Sequence, residues 1–167
     1  MPSFAPIATP TTSVLILGSM PSQRSLQNSR YYDHPQNSFW WIMSKLLDFS
    51  ESLNYEVKCR HLKLSNYGIW DVLYDCKRPG SLDSDIERNS EQVNDFDKFL
   101  KEHKDVKLIA FNGAAAKNIF MRHWSELLRT RKDIDYVQLP STSPAHAKMN
   151  RSEKLQQWRA SLRLSNS

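Results

Sequence analysis

Four short apolar runs, spaced along the chain, constrain its fold more than any other feature. They cover residues 13–17, 67–73, 106–111 and 134–139, and they are rich in Val, Ile, Leu and aromatic residues, as buried strands are. Segments with the helical spacing of apolar residues lie between them. Because strands that alternate with helices favour a mostly parallel sheet covered on both faces, the sequence predicts an α/β fold.

The segments between the strands divide into helices and one long loop. The predicted helices cover 37–49, a stretch ending near Leu64, 84–89, 93–103, 114–124 and 152–164, and the loop covers 19–36. Asn37 is expected to cap the first of these helices. Neither a repeat nor a long linker divides the sequence, so residues 1–167 are predicted to form one domain. The stretches 1–12 and 165–167 are expected to be loose termini.

Charge and cysteine content narrow the classes of function. The formal net charge of +5 weakly favours an anionic partner, although a merely solvated basic surface explains it equally well. Several cations lie in or beside the predicted loops that connect strands and helices, and these are Arg24, Arg30, Lys77, Arg78, Lys148 and Arg151. The two cysteines exclude a disulfide framework and a four-cysteine metal site.

Targeting signals are not evident in the sequence. No apolar stretch approaches the roughly 20 residues that span a bilayer. Residues 1–12 have neither the basic region nor the long apolar core of a secretory signal. We therefore expect a cytoplasmic protein without a membrane partner. We also expect a monomer.

The turn Gly-Ser-Met-Pro-Ser at 18–22 follows the first strand and has two interpretations. Gly18 can let the backbone approach a ligand, and successive N–H groups can bind a phosphate or a carbonyl oxygen. Alternatively, the glycine and the proline only turn the chain. The glycine spacing of a dinucleotide-binding motif or a P-loop is absent.

The segment His-Pro-Gln-Asn-Ser-Phe-Trp-Trp at 34–41 places Asn37 at a predicted helix start. Asn37 can be a plain N-cap, and His34 can be a structural histidine. Bases could stack on the aromatic residues crowded here, although aromatics at such density usually belong to the core. These aromatic residues are Tyr31, Tyr32, Phe39, Trp40 and Trp41.

Polar residues also end the later strands. Asp71 ends the second strand before a basic loop, where its carboxylate can accept a base N–H or only cap a turn. In the segment Phe-Asn-Gly-Ala-Ala at 111–115, Asn112 follows the third strand, and close packing alone better explains Gly113 and Ala114. The last segment, Leu-Pro-Ser-Thr-Ser-Pro-Ala-His at 139–146, is stiff and rich in hydroxyl groups. Such a segment suits gripping phosphates or wedging into a duplex.

Competing catalytic constellations are absent from the sequence. It contains no Gly-x-Ser-x-Gly elbow, no His-Glu-x-x-His and no paired-cysteine metal motif. The histidines have no metal-ligand spacing and are His34, His61, His103, His123 and His146. The chemistry is therefore expected, without a metal, where four polar segments meet, namely 18–22, 34–41, 111–115 and 139–146.

In this order and spacing, the four segments resemble the uracil-DNA glycosylase superfamily over about residues 13–150. The turn 18–22 takes the place of that superfamily's first motif, and 139–146 takes the place of its last. Residues 67–71 resemble the strand that carries the base-reading Asn or Asp. His-Pro-x-Asn-x-Phe-Trp resembles a helix start shared with the mismatch-specific uracil/thymine branch. The first turn combined with His-Pro-Gln-Asn is most similar to the hypoxanthine-DNA glycosylase, or deoxyinosine glycosylase, branch.

Two positions depart from the pattern of uracil-excising members. Most of the superfamily has Asp or Asn two residues after the first glycine, where it positions the attacking water, and this chain has Met20. The last motif usually opens with His, and this chain has Leu139. In the hypoxanthine branch the water-positioning role passes to the Asn of His-Pro-x-Asn, so the resemblance assigns the catalytic role to Asn37.

The resemblance implies a three-layer α/β/α sandwich around a four-stranded, mainly parallel sheet. It also implies hydrolysis of the N-glycosidic bond of a deaminated base, chiefly hypoxanthine, in DNA, with no cofactor and no Schiff base. The implied base-binding residues are Gly18, Ser19, Met20, Asp71, Asn112, Tyr32 and Phe39. The implied DNA-binding residues are Pro21, Ser22, Pro140, Ser141, Thr142, Ser143, Pro144 and His146.

Two other functions stay open on the sequence alone. The first is a mismatch-specific uracil/thymine-DNA glycosylase of the same fold, against which Met20 argues. The second is a catalytically weak DNA-binding module that keeps the fold.

Overall fold

The computed structural model of the protein describes residues 1–166 and the side chains of residues 1–163. Its strands are β1 (Val14–Gly18), β2 (Tyr67–Asp71), β3 (Leu73–Asp75), β4 (Gln92–Val93), β5 (Leu108–Asn112) and β6 (Asp135–Leu139). Its helices are α1 (Gln23–Asn28), α2 (Phe39–Leu47), α3 (Tyr55–Leu64), α4 (Phe96–Glu102), α5 (Ala114–Thr130) and α6 (Arg151–Asn166).

The central sheet has four strands in the order β2-β1-β5-β6, and every neighbouring pair is parallel. The register places Gly18 beside Asp71 and Asn112 beside Leu139. The carboxyl ends of the four strands therefore lie along one edge of the sheet. The predicted four-stranded sheet is confirmed, and it is parallel throughout.

Helices cover both faces of this sheet. On one face Leu15 and Leu17 pack with the apolar side chains of α4 and α5. On the other face Val14 and Ile16 pack with those of α2, α3 and α6. Since both faces are covered, every residue of β1, β2 and β5 is buried, which explains their unbroken apolar sequences. The three-layer α/β/α arrangement is confirmed.

The apolar run at 67–73 is not one strand. It divides into β2 and β3, and β3 pairs antiparallel with β4 in a separate two-stranded sheet. A continuous apolar run gives no sign of where a chain leaves one sheet and joins another, so periodicity alone misses the break. The two short strands bracket residues 76–91, which form a long excursion beside the carboxyl edge of the central sheet.

Two of the predicted helices differ in the structure. The segment 84–89 forms no α-helix, and its regular structure consists of 3₁₀ turns at Asp83–Asp85 and Arg88–Ser90. The helix predicted from residue 93 begins later, because the side chain of Asp95 accepts a hydrogen bond from the backbone N–H of Lys98 at 3.0 Å.

The predicted loop at 19–36 contains the short helix α1. Its N-cap is Ser22, whose hydroxyl accepts from the backbone N–H of Ser25 at 3.2 Å. Helix α5 continues past its expected end at Trp124, although that residue has non-helical dihedral angles, with φ −127° and ψ 23°. No helix in the described part of the chain is both long enough and apolar enough to cross a membrane.

The expectation that residues 1–12 are loose is wrong. Ile7 forms an antiparallel bridge with Ile69, donating to and accepting from its backbone at 2.9 Å. Thr12 is fully buried. The amino-terminal segment thereby covers the outer edge of β2, which would otherwise expose unpaired backbone groups. The expectation for 165–167 concerns residues whose side chains, and in residue 167 the backbone too, lie outside the described part.

Candidate active site

The carboxyl edge of the sheet opens into a cavity of about 790 Å³. Its walls are residues 18–22, Ser25, Tyr31, Tyr32, His34, Asn37, Asp71, 81–84, 112–115 and 141–146. All four polar segments singled out from the sequence contribute to these walls. Parallel strands that end at one edge account for the convergence of segments so distant in sequence.

Gly18 makes room for two buried polar side chains at the inner end of the cavity. A Cβ atom on this residue would lie 2.6 Å from Asp71 Oδ1 and 3.0 Å from the Tyr32 hydroxyl. Asp71 is only 3% exposed, and its Oδ2 has no hydrogen-bond partner. Buried polar atoms without partners are rare, so Oδ2 marks a place where a ligand can supply one.

The Tyr32 hydroxyl is also buried and has no partner in hydrogen-bond geometry. The Asn112 side chain is close enough to favour the ionised phenol, but burial dominates and raises the pKa of Tyr32 well above its usual range. Tyr32 therefore stays neutral and offers an O–H donor to the cavity.

Burial and the nearby Asp83 carboxyl raise the pKa of Asp71 from 3.8 to about 8, although Arg78 opposes the shift. Asp71 is therefore mostly protonated at neutral pH. A protonated carboxyl presents an O–H donor beside a C=O acceptor, whereas a carboxylate only accepts. The hypothesis that Asp71 accepts a base N–H is thus too narrow, since this side chain can also donate.

Asp71→Asn is expected to stabilise the protein more strongly as the pH rises. The wild-type carboxyl keeps its proton up to about pH 8 in the folded state but loses it near pH 3.8 after unfolding. Between these values the wild type loses up to about 1.4 kcal/mol of unfolding free energy per pH unit. The amide does not titrate, so the gain in melting temperature should be larger at about pH 8 than at about pH 5.

Thermal unfolding of both proteins across that range tests this expectation. Asp105→Asn serves as the control, because Asp105 is exposed and does not line the cavity. A difference in melting temperature between wild type and Asp71→Asn that did not change with pH would contradict the raised pKa of Asp71.

The Tyr32 ring lies on the cavity wall, and the Phe39 ring supports it from behind. Tyr32 has a positive φ of 56° and stacks on Phe39 with 4.0 Å between ring centroids. Phe39 is fully buried and is not among the lining residues. Phe39, which the sequence predicts to bind the base, thus does not face the cavity, and its ring instead holds Tyr32 in place.

Asn37 lies on the cavity wall just before helix α2. Its Oδ1 accepts from the backbone N–H of Phe39 at 2.9 Å, and its own N–H donates to the carbonyl of His34 at 2.9 Å. The helix begins at Phe39, with Ser38 as a cap residue that makes no side-chain bond. Asn37 thus caps the helix from one residue further upstream than expected. Because a carbonyl oxygen has two lone pairs, the fixed Oδ1 can also accept from a water.

The Asn112 side chain ties β5 to the last polar segment. Its Nδ2 donates to Thr142 Oγ1 at 3.0 Å, and its Oδ1 accepts from the Thr142 N–H at 2.9 Å. The Thr142 carbonyl accepts from the Ser38 N–H at 3.0 Å. Thr142 is 1% exposed, so this predicted DNA contact is a buried link between segments. Close packing of Gly113 is confirmed, since its φ is 99° and a Cβ would lie 2.9 Å from Ser141 Cβ.

The last polar segment faces the cavity with Ser141, Ser143, Pro144 and His146. Pro140, expected to contact DNA, does not line the cavity, and its carbonyl accepts from Trp158 Nε1 at 2.9 Å.

Lys154 holds this segment from behind and was missed in the sequence. It is 3% exposed, and its Nζ donates to the Ser143 carbonyl at 3.1 Å. A lysine four residues before Trp158 lies on the same inward face of α6. This spacing could have predicted that Lys154 is buried.

Most polar atoms of the first turn serve the local structure. The Ser22 hydroxyl caps α1, and the Pro21 carbonyl accepts from the Arg78 guanidinium. Met20 is almost fully buried and lines the cavity without offering a hydrogen bond. All four residues from Ser19 to Ser22 line the cavity. Pro21 and Ser22 also hold the surrounding structure through the contacts just described.

A loop at 81–84 completes the cavity and was not singled out in the sequence. The Ser19 hydroxyl donates to Asp83 Oδ1, which fixes the loop against the first turn. Burial raises the pKa of Asp83, although the bond from Ser19 and the charge of Arg78 oppose that shift. Nothing in the composition of this polar stretch indicates that it returns to the sheet edge, because that return depends on the β3–β4 pairing.

Several of the expected surface cations make contacts within the protein. Arg24 pairs with Asp33 at 3.4 Å, and the Arg30 guanidinium lies 5.7 Å from the centre of the Tyr55 ring. The Arg151 guanidinium lies 4.3 Å from the centre of the Trp41 ring. Solvent-exposed contacts of this kind are weak and leave the positive charge available to a phosphate.

Comparison with known proteins gives two relatives that match most of the chain. A hypoxanthine DNA glycosylase from Methanosarcina acetivorans is 33% identical over 161 residues, which cover 96% of each chain. A hypoxanthine DNA glycosylase from Methanosarcina barkeri is 35% identical over 111 residues, covering 66% of this chain and 69% of its own.

A solved structure and a family model also match nearly the whole chain. A solution NMR structure from Methanosarcina acetivorans, described as a candidate uracil DNA glycosylase, superposes with a TM-score of 0.82 at 31% identity, covering 99% of this chain and 98% of that one. The sequence model of the Uracil DNA glycosylase superfamily matches residues 5–163. With its parallel sheet, its polar edge cavity and this match along almost its whole length, the chain belongs to the uracil DNA glycosylase superfamily.

Proposed function

We propose that the protein is a monofunctional DNA glycosylase that releases a deaminated purine, chiefly hypoxanthine, from DNA. The observation that carries this substrate is the similarity to a hypoxanthine DNA glycosylase over 96% of both chains. The enzyme is proposed to act as a monomer without a cofactor. Since its partner is DNA, we place it in the cytoplasm at the nucleoid of a prokaryote or in the nucleus of a eukaryote.

The base is proposed to bind at the inner end of the cavity. Hypoxanthine presents an N1–H donor next to its O6 acceptor. Protonated Asp71 can accept from N1–H with one oxygen and donate to O6 with the other, which would satisfy the unpartnered Oδ2. Tyr32 adds a neutral aromatic wall and a hydroxyl donor. Gly18 leaves the space that both side chains need, because a Cβ atom there would crowd them.

Access to the site requires the nucleotide to leave the base stack. A deaminated base pairs poorly, so turning it out of the duplex costs less than for a normal base. The hydroxyl groups of Ser141 and Ser143 and the side chain of His146 lie on the rim, where they can contact the flanking phosphates. Such contacts position the duplex without reading its sequence.

Hydrolysis then needs an oriented water and stabilisation of the leaving base. The amide of Asn37 is not a strong base, but its Oδ1 can accept from a water and hold it facing C1′. The water oxygen bonds to C1′ as the C1′–N9 bond breaks, and the electron pair of that bond leaves with the purine. The bound water gives up one proton to the solvent, and the departing purine takes up one in its place. Negative charge that grows on O6 is stabilised by the Asp71 O–H donor. The products are an abasic site and free hypoxanthine.

A panel of duplexes with single lesions tests the substrate. Hypoxanthine opposite thymine should be released far faster than uracil opposite guanine, because Met20 cannot position a water as an acidic or amide residue would. The panel also contains xanthine and ethenocytosine, and abasic sites are scored after heat or alkali. Rapid uracil release without hypoxanthine release would support the mismatch-specific alternative. DNA binding with no release of any base would support the weak DNA-binding module.

A further inference from the structure

Two cations lie over one aromatic ring on the surface that helices α2 and α6 share. The Arg151 guanidinium lies 4.3 Å from the centre of the Trp41 ring, and Lys45 Nζ lies 5.9 Å from the same centre. Trp41 is half-buried, whereas both cations are exposed. We call these three side chains the Trp41 cluster.

No acidic side chain in the described part of the chain neutralises this cluster. Neither Lys45 nor Arg151 forms an ion pair with any side chain of residues 1–163. Glu153, two residues after Arg151, instead accepts from the Asn150 N–H at 3.3 Å. A cation in the first turn of a helix is disfavoured, because the helix dipole is positive there. The two positive charges are therefore poorly compensated within the protein, and an anion beside them would be stabilised.

The Trp41 cluster lies beside the cavity. Helix α2 begins shortly after Asn37 of the cavity wall, and Trp41 lies in its first turn. Arg151 is the first residue of α6 and follows His146 of the cavity wall by five residues. Five residues reach at most about 18 Å. Because a DNA strand advances by about 3.4 Å per nucleotide, the cluster lies within about five nucleotides of this rim.

Trp41 determines how Arg151 can present its donors. A guanidinium is planar and carries its N–H groups around its edge, so one that lies over a ring can stack flat and direct these donors outward. This planar fork matches two oxygens of a phosphate, which a lysine ammonium cannot do. Packing on the ring also restricts the side chain before a ligand arrives, which lowers the entropic cost of binding.

We propose that the Trp41 cluster binds a phosphate of the DNA strand beside the lesion. Arg151 donates to two phosphate oxygens, Lys45 supplies a second positive charge, and Trp41 is the positioning residue for Arg151. The inference rests on the proposed function, because it requires a DNA strand that leaves the cavity past His146. A phosphate contact of this kind holds damaged and undamaged DNA alike, since it reads no base.

Arg151→Gln tests the contact through binding to an undamaged duplex. Affinity at low salt should fall about tenfold, and the slope of log affinity against log salt should become shallower by about 0.9, the value for one phosphate contact. Arg163→Gln is the matched control, because Arg163 is an exposed arginine about 18 Å further along the same helix. This control should change the affinity by less than about twofold and leave the slope unchanged.

Two substitutions of Trp41 separate the position of Arg151 from its charge. Trp41→Leu removes the ring but leaves both cations, so affinity should fall about fivefold while the salt slope stays close to that of the wild type. Trp41→Phe restores an aromatic face and should recover most of the affinity. Arg151→Lys keeps the charge without the planar fork, so it should lose affinity but retain the slope.

Shortened duplexes locate the contact relative to the lesion. The probe is an uncleavable duplex with one hypoxanthine, trimmed to a single base pair on one side of the lesion or on the other. Trimming the side that reaches the Trp41 cluster should abolish the difference in affinity between wild type and Arg151→Gln. Trimming the other side should leave that difference intact, because the contacted phosphate is still present.

The possible results distinguish the inference from the proposed function. Equal affinity and equal salt slope in wild type and Arg151→Gln would overturn the inference. A loss that persists on both trimmed duplexes would also overturn it, because Arg151 would then act through the cavity itself. Equal losses for Trp41→Leu and Trp41→Phe would contradict the positioning role of Trp41. A wild type that shows these differences in binding but releases no hypoxanthine would overturn the proposed function and not the phosphate contact.

Discussion

Asn37→Ala is expected to lower the single-turnover rate of hypoxanthine release by about a hundredfold, while affinity for DNA stays within a few-fold. The proposed role of Asn37 is to orient the attacking water, and groups that act mainly in the transition state affect rate more than binding. The structure fixes its Oδ1 through the Phe39 N–H, so the oxygen that would hold the water is already oriented. Single-turnover kinetics and binding to an uncleavable duplex check the two halves of this expectation.

The same substitution also removes a helix-capping hydrogen bond, and a matched variant isolates that effect. Asn54 caps α3, with its Oδ1 accepting from the Val57 N–H at 2.9 Å, and it does not line the cavity. Asn54→Ala should therefore lose a similar stability, about 1 kcal/mol, without losing activity. If Asn37→Ala melts at a lower temperature while its folded fraction cleaves at the normal rate, Asn37 is only a cap.

The layered fold follows from simple patterns in the sequence. Strands buried on both faces need unbroken apolar runs, and β1 and β5 have them, so their position and parallel pairing could be predicted. The break at Val72 could not be predicted, because it depends on β4, a strand of only two residues far along the chain. The amino-terminal bridge at Ile7 is likewise a tertiary contact without a periodic signal.

The part of the site that is formed by the last residues of the strands could be predicted from the sequence. Gly18, Asp71 and Asn112 end parallel strands, and shared register is enough to bring them to one edge. The loop 81–84 has no such constraint, and its place depends on hydrogen bonds such as the one from Ser19 to Asp83. The sequence also does not show which way a side chain points. Phe39 and Tyr32 are both aromatic and lie near Asn37 in the sequence, but of these two only Tyr32 lines the cavity.

Hypoxanthine release by the wild type is expected to fall as the pH rises through about 8, whereas release by Asp71→Asn should not share this fall. The wild-type carboxyl has a pKa of about 8 and donates to the base only while it is protonated. Above that pH the carboxylate repels the negative charge that develops on the leaving purine. An asparagine amide keeps a donor and an acceptor side by side at every pH, so Asp71→Asn should retain activity near neutrality.

Three comparisons make this pH dependence specific to Asp71. The ratio of the wild-type rate to the Asp71→Asn rate cancels any ionisation of the substrate, so only the carboxyl contributes to its change with pH. Asp71→Leu has no hydrogen-bonding group and should release hypoxanthine at least about a hundredfold more slowly than the wild type below about pH 8. Asp83→Asn removes the neighbouring charge that helps to raise the pKa of Asp71, so the fall in rate should move to lower pH. A constant ratio of wild type to Asp71→Asn across this range would show that the proton on Asp71 has no part in the reaction.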